Sequence, residues 1–134
     1  MYTFKEAADL AAFDRFIETH GGQYIQSSHW QTVKTTWRCR YYCGTDDGGN
    51  TVLAILIMER ALPAAGKIWY GSGGAVCDYD NVALLQSFTA FIKGELKAHG
   101  VTAFIMDPPI SLRINGEDQP HGHAVGDELE AVAV

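Results

Sequence analysis

Leu10, Phe13 and Ile17 repeat at intervals of three and four before Gly21-Gly22 interrupts the run, which predicts an amphipathic helix near the amino terminus. Thr3 and Glu6 have the spacing of a capping box and set its expected start. Residues 27–35 suit a short second helix, with Ser27 or Ser28 as cap, Trp30 and Val33 on one face and Lys34 near its last turn. The period then changes from helical to two. Trp37, Cys39, Tyr41 and Cys43 alternate with Arg38, Arg40 and Tyr42, the pattern of a half-buried strand. Asp46-Asp47-Gly48-Gly49-Asn50 turns the chain, and the unbroken apolar run from Thr51 to Met58 predicts a central strand covered on both faces. A turn over Pro63 to Gly66 leads into a third strand, Lys67 to Tyr70. Short connections between three successive strands imply an antiparallel meander.

Asp80 is placed to cap a helix whose positions Leu84, Leu85, Phe88, Phe91, Ile92 and Leu96 form a broad apolar stripe ended by Gly100. Val101 to Met106 follows as a buried strand. A strand reached through a helix is expected to lie parallel to the one before it, by a right-handed crossover. The order is α, short α, β, β, β, α, β: an α/β (α+β) chain. After Pro108-Pro109 the composition turns to Gly, His, Asp and Glu with no period up to Gly126, which predicts a mobile stretch. Asp127 and Glu130 then have the look of another capped helix, with Leu129, Val132 and Val134 as its first apolar positions. That helix is cut short by the end of the chain, so we expect a piece of a longer protein.

Composition narrows the class. At 134 residues the chain fits one domain that buries roughly two thirds of its unfolded surface. No apolar run approaches the ~20 residues of a membrane span, which predicts a soluble protein without an integral membrane segment. The opening Met1-Tyr2-Thr3-Phe4-Lys5-Glu6 lacks the basic flank and apolar core of a secretory signal, so a cytoplasmic address is expected. The net charge of −6 is concentrated late: residues 111–134 hold five acids against Arg113 alone. Neither part carries a basic stripe able to grip nucleic acid by electrostatics alone. Cys39 and Cys43 are four apart in one strand, about 13 Å along its axis and too far for a disulfide, and with Cys77 they read as reduced packing residues.

The candidate chemistry rests on a few residues. The segment Gln26-Ser27-Ser28-His29-Trp30-Gln31-Thr32-Val33-Lys34 puts a lysine at fixed spacing behind a tryptophan. Tyr70-Gly71-Ser72-Gly73-Gly74-Ala75-Val76 and Asp107-Pro108 follow the third and fourth expected strands. In this order the three segments resemble the Fem (FemAB-type) family of peptidoglycan interpeptide-bridge aminoacyltransferases, over residues 13–110. Ala75 stands where that family usually has proline, and Phe104-Ile105-Met106 are apolar where it often has a basic residue. The resemblance implies the amino-terminal part of a GNAT-like fold, a partial sheet that such enzymes use twice. It implies a parent enzyme that moves an amino acid from aminoacyl-tRNA, its donor substrate, to the stem-peptide amine of a muramyl-pentapeptide precursor, nucleotide-linked or lipid-linked. No cofactor is implied. Lys34 would meet the precursor's phosphate region, with Trp30 positioning it and Tyr70 as a further substrate contact. Asp107 is the implied catalytic position, where it would accept a hydrogen bond from the amine or orient it. The arginine that works with Lys34 would come from a second domain, and aminoacyl-tRNA would be held by regions outside this chain. The inner face of the membrane is a peripheral address compatible with this reading.

Other readings of the same residues stand beside it. Lys34 also fits an exposed lysine favoured by a helix dipole, Trp30 a packing residue, and Asp107 before proline a strand-ending turn residue. Gly71, Gly73 and Gly74 read as a turn or bulge, since no GxxxxGK[ST] pattern or directly following helix accompanies them. His121 and His123 lack the further ligands of a metal site, and Cys77 has no neighbouring histidine to activate it. Residues 1–110 are expected to form the partial GNAT-like domain and 111–134 an acidic tail leading into the truncated helix, with no useful catalytic rate in isolation. A CoA-dependent GNAT N-acyltransferase piece and a non-catalytic binding domain are the alternatives. If the last strand of the sheet lacks its neighbour, the open edge invites a homodimer.

Overall fold

The computed structural model describes residues 1–107, 112–114, 117–119 and 131–133. The elements are β1 (Thr3–Glu6), α1 (Leu10–Thr19), two 3₁₀ turns (Tyr24–Gln26 and Ser28–Thr32), β2 (Arg38–Thr45), β3 (Thr51–Leu62), β4 (Gly66–Gly71), β5 (Val76–Cys77), α2 (Val82–Ala98), β6 (Val101–Met106), β7 (Leu112–Ile114), β8 (Glu117–Gln119) and β9 (Ala131–Ala133). The main sheet runs β1-β2-β3-β4-β6-β9, with β5 paired to β3 off this path, and β7 and β8 pair separately. The meander β2-β3-β4 is antiparallel, and β6 returns through α2 to lie parallel to β4. This is the partial GNAT-like arrangement that the periodicity and the family resemblance led us to expect.

The core explains the order. Residues Leu53 to Met58 of β3 are buried on both sides of the sheet. Leu53, Ile55 and Ile57 meet Trp69, Phe104 and Met106 and the α2 stripe Leu84, Phe88, Ile92 and Leu96 on one face. Ala54, Leu56 and Met58 meet Phe13, Phe16 and Ile17 of α1 on the other. A period of two therefore feeds two cores, which is why the run carries no polar alternation. The α2 stripe is narrower than its sequence pattern, for Leu85 and Phe91 are only partly covered. Asn81, not Asp80, caps α2: its side chain accepts a hydrogen bond from the Leu84 amide at 3.1 Å.

Two ends differ from expectation. Thr3 to Glu6 is a strand, not a helix start, because Tyr2 and Phe4 alternate toward the α2-side core. Phe4 stacks on Phe91 at 5.2 Å, and opposite it Gly44 leaves room that a Cβ would fill at 2.6 Å from the ring. Helix α1 begins instead at Leu10, with the Asp9 carboxylate accepting from the Ala11 and Ala12 amides. At the other end, residues 131–133 are strand β9, not the helix predicted from Asp127 and Glu130. Its Ala131, Val132 and Ala133 pair antiparallel with Ile105, Phe104 and Ala103, so the β6 edge expected to be open for a homodimer is occupied. Pairing across such a separation has no local signature. The stretch expected to lack regular structure contains the β7–β8 pair, while His121 and His123 lie outside the described residues. No helix among the described residues is long and apolar enough to cross a membrane.

Candidate functional site

The lysine-bearing segment is built on two consecutive 3₁₀ turns rather than the single helix predicted for 27–35. Trp30 donates its amide to Ser27 O at 3.2 Å, and the Val33 and Lys34 amides both reach Trp30 O at 3.0 Å. Serine and threonine hydroxyls compete for these backbone groups: Ser27 Oγ donates to Tyr24 O at 2.8 Å and Thr32 Oγ1 to His29 O at 2.7 Å, which favours tight turns over α-helix. Asp14 of α1 fixes the second turn, accepting from the Ser28 amide at 2.7 Å and from its hydroxyl. Trp30 packs half-buried against the α1-side core. Lys34 stands beyond the turn, exposed, with Nζ 5.4 Å from the centre of the Trp30 ring. The tryptophan thus both packs and holds the ammonium over its face, an arrangement worth about 0.5–1 kcal/mol at an exposed site. Val33, predicted to share one face with Trp30, is 54% exposed.

Tyr70 and Asp107 close two neighbouring parallel strands. Tyr70 pairs with Ile105, and its ring packs partly buried on the α1-side core together with Trp30. Asp107 follows directly: its amide donates to Gly71 O at 3.4 Å and its side chain is exposed. The alternation that turns Phe104 and Met106 toward α2 sends Ile105 and Asp107 to the face that bears Tyr70. The glycines after Tyr70 form the expected turn, in which Gly74 N bonds Gly71 O at 3.0 Å and Gly73 and Gly74 take positive φ of 69° and 76°. This turn is buried, not an open phosphate cradle. Tyr79 supports it by donating to Ala75 O at 2.5 Å.

The fold therefore joins Trp30 to Lys34 and Tyr70 to Asp107, with Trp30 and Tyr70 sharing one core. No hydrogen bond or ion pair links Lys34 with Asp107 among the described residues. A cavity of about 360 Å³ between α1 and the 3₁₀ turns is lined by Asp14, Glu18, Tyr24 and His29 among others, and by none of the four predicted residues. Burial, reinforced by Asp78, pushes the Cys77 thiol up to about 12, which disfavours the reactive thiolate. Cys39 and Cys43 are free thiols, as their spacing required. Sequence reasoning gave no separate role to Gln26, which is buried and bonded to the turn after Tyr70, because its partners lie 47 and 48 residues away.

A family model for the FemAB family matches residues 9–134. The chain belongs to the FemAB family. This is the peptidoglycan-related aminoacyltransferase family that the segments around Lys34, Tyr70 and Asp107 resemble. Among solved structures, one described as the crystal structure of FemX superposes with a TM-score of 0.72 at 22% identity, over 82% of this chain and 28% of that one. At this identity the likeness concerns the fold, and this FemAB chain spans under a third of the FemX chain. A comparison with curated proteins gives no match.

Proposed function

We propose that this FemAB chain carries the amino-terminal, precursor-binding part of an enzyme that transfers an amino acid from aminoacyl-tRNA to the stem peptide of a muramyl-pentapeptide. The observation that carries this reading is that, in a family member, the tryptophan that holds the Lys34 ammonium shares the α1-side core with Tyr70, whose strand lies parallel to and beside the one that ends at Asp107. Lys34 offers a mobile point charge to phosphate oxygens, and its contact with Trp30 limits the orientations it loses on binding. Asp107 accepts a hydrogen bond from the acceptor amine and orients its lone pair. That nitrogen attacks the ester carbonyl of the aminoacyl-tRNA, the C–N bond forms, the ester C–O bond breaks, and the ribose hydroxyl leaves with the proton lost by the amine. The role asked of Asp107 is alignment, so a strong base is not required. A second domain bearing the partner arginine, and a helical arm for the tRNA, complete the cleft outside this chain. The isolated chain then binds precursor weakly and turns over negligibly. A cytoplasmic setting, with access to the inner membrane face, suits such a substrate.

Equilibrium dialysis of the 134-residue chain against labelled UDP-muramyl-pentapeptide, with labelled acetyl-CoA in a parallel cell, tests the reading. Saturable retention of the precursor, reduced about tenfold in affinity by Lys34→Ala, is expected from the loss of one charge-assisted contact. Retention of acetyl-CoA instead would point to the CoA-dependent alternative. Equal precursor retention by wild type and Lys34→Ala would remove Lys34 from the site.

A further inference from the structure

The side chain of Gln26 is 1% exposed and uses both ends of its amide. Its Oε1 accepts from the Gln23 amide at 2.7 Å, and its Nε2 donates to Gly73 O at 2.9 Å and Gly74 O at 3.2 Å. Its approach needs a glycine opposite, since a Cβ on Gly73 would sit 2.9 Å from Gln26 Cγ. From Gln26 the chain runs through Ser27 into the turn that holds Trp30 and leads on to Lys34. Across the amide, the Gly73-Gly74 turn returns to Gly71 O, which accepts both the Gly74 amide at 3.0 Å and the Asp107 amide at 3.4 Å. One buried side chain thus stands between the lysine segment and the strand ends, and the shared acceptor Gly71 O extends the connection to Asp107.

We infer that Gln26 is a positioning residue that sets the register of the Tyr70–Asp107 strand ends against the Trp30–Lys34 segment. The inference rests on reading these as parts of one precursor site. A hydrophobic residue of equal length would preserve packing but leave Gly73 O, Gly74 O and Gln23 N without partners. A glutamate would face two carbonyl oxygens while ionised and repel them. Protonated, it regains one donor, and burial among acceptors raises the pH at which that happens.

The test uses Gln26→Glu and Gln26→Met in the full 134-residue chain, followed by backbone-amide NMR from pH 8 to pH 5, alone and with UDP-muramyl-pentapeptide. His20, Cys77 and Tyr79 line the small cavity beside Gln26, so wild type is titrated in parallel to subtract their effects. In ligand-free Gln26→Glu, the amides of Gly71 to Gly74, Asp107 and Trp30 to Lys34 are expected to shift with one midpoint toward wild-type positions as pH falls. Precursor affinity is expected to be about tenfold weaker at pH 8 and to recover over the same midpoint, while Gln26→Met stays weak throughout. Shifts confined to residues 23–27, or wild-type affinity in Gln26→Met, would overturn the inference. If the glutamate variant does not fold, Gln26→Met decides by its affinity and by its amide shifts at Asp107 and Lys34. Absence of binding by wild type would count against the precursor reading, while the ligand-free shifts would still decide the clamp.

Discussion

Glu59 shows how a single residue departs from its sequence pattern. It ends the buried run of β3, yet Trp69 Nε1 donates to its Oε1 at 2.9 Å and Arg40 Nε and Nη2 approach it at 3.3 Å. Burial alone would push its carboxyl up, but the Trp69 hydrogen bond, the Arg40 guanidinium and Lys67 together hold it below the usual 4.5. A folded value below the unfolded one stabilises the protein above the unfolded value, and that contribution is lost as pH falls through the folded value. Thermal melts from pH 7 to pH 3 should therefore show a steeper acid decline in wild type than in Glu59→Gln. At pH 7 the variant should be less stable by about 3 kcal/mol, because Arg40 loses its buried counter-charge. Parallel pH profiles would contradict this account. Neither this network nor the Gln26 clamp was legible in the sequence, because each joins residues that only strand pairing or a turn brings together.

At the scale of elements, the period of the chain was a good guide where each pattern had a single local explanation. The two-sided burial of β3, the free cysteines of β2 and the α2 stripe follow from spacing alone. The misreadings at Thr3–Glu6 and at the α2 cap came where two local signals competed. Thr3 and Glu6 match a capping box, but the alternation of Tyr2 and Phe4 prevails because their rings reach the α2-side core. Asp80 was the expected cap, but the neighbouring Asn81 takes that position and also donates from Nδ2 to Tyr2 Oη at 3.0 Å. Asn81→Ala should therefore cost about 1 kcal/mol or somewhat more in chemical denaturation, since it loses the cap and a tie to the strand-one segment, while Asp80→Ala should be nearly neutral. Equal losses in the two variants would return the cap to Asp80.

At the scale of the molecule, the sheet explains why distant motifs belong together. Parallel β4 and β6 bring Tyr70 and Asp107 to neighbouring ends, while the 3₁₀ turns lay Trp30 on the same α1-side core as Tyr70. The sequence order of these motifs was legible through family resemblance. Their spatial relation was not, since it depends on the crossover through α2 and on the buried turn at Gly71 to Gly74. The most direct measurement is a two-dimensional NMR titration of the chain with UDP-muramyl-pentapeptide, comparing wild type with Lys34→Ala. The account predicts saturable shifts in the amides at 30–36, 70–76 and 104–107 together, weakened throughout by the substitution. Shifts at only one of these segments, or none at millimolar ligand, would contradict a single precursor site built from Lys34, Tyr70 and Asp107.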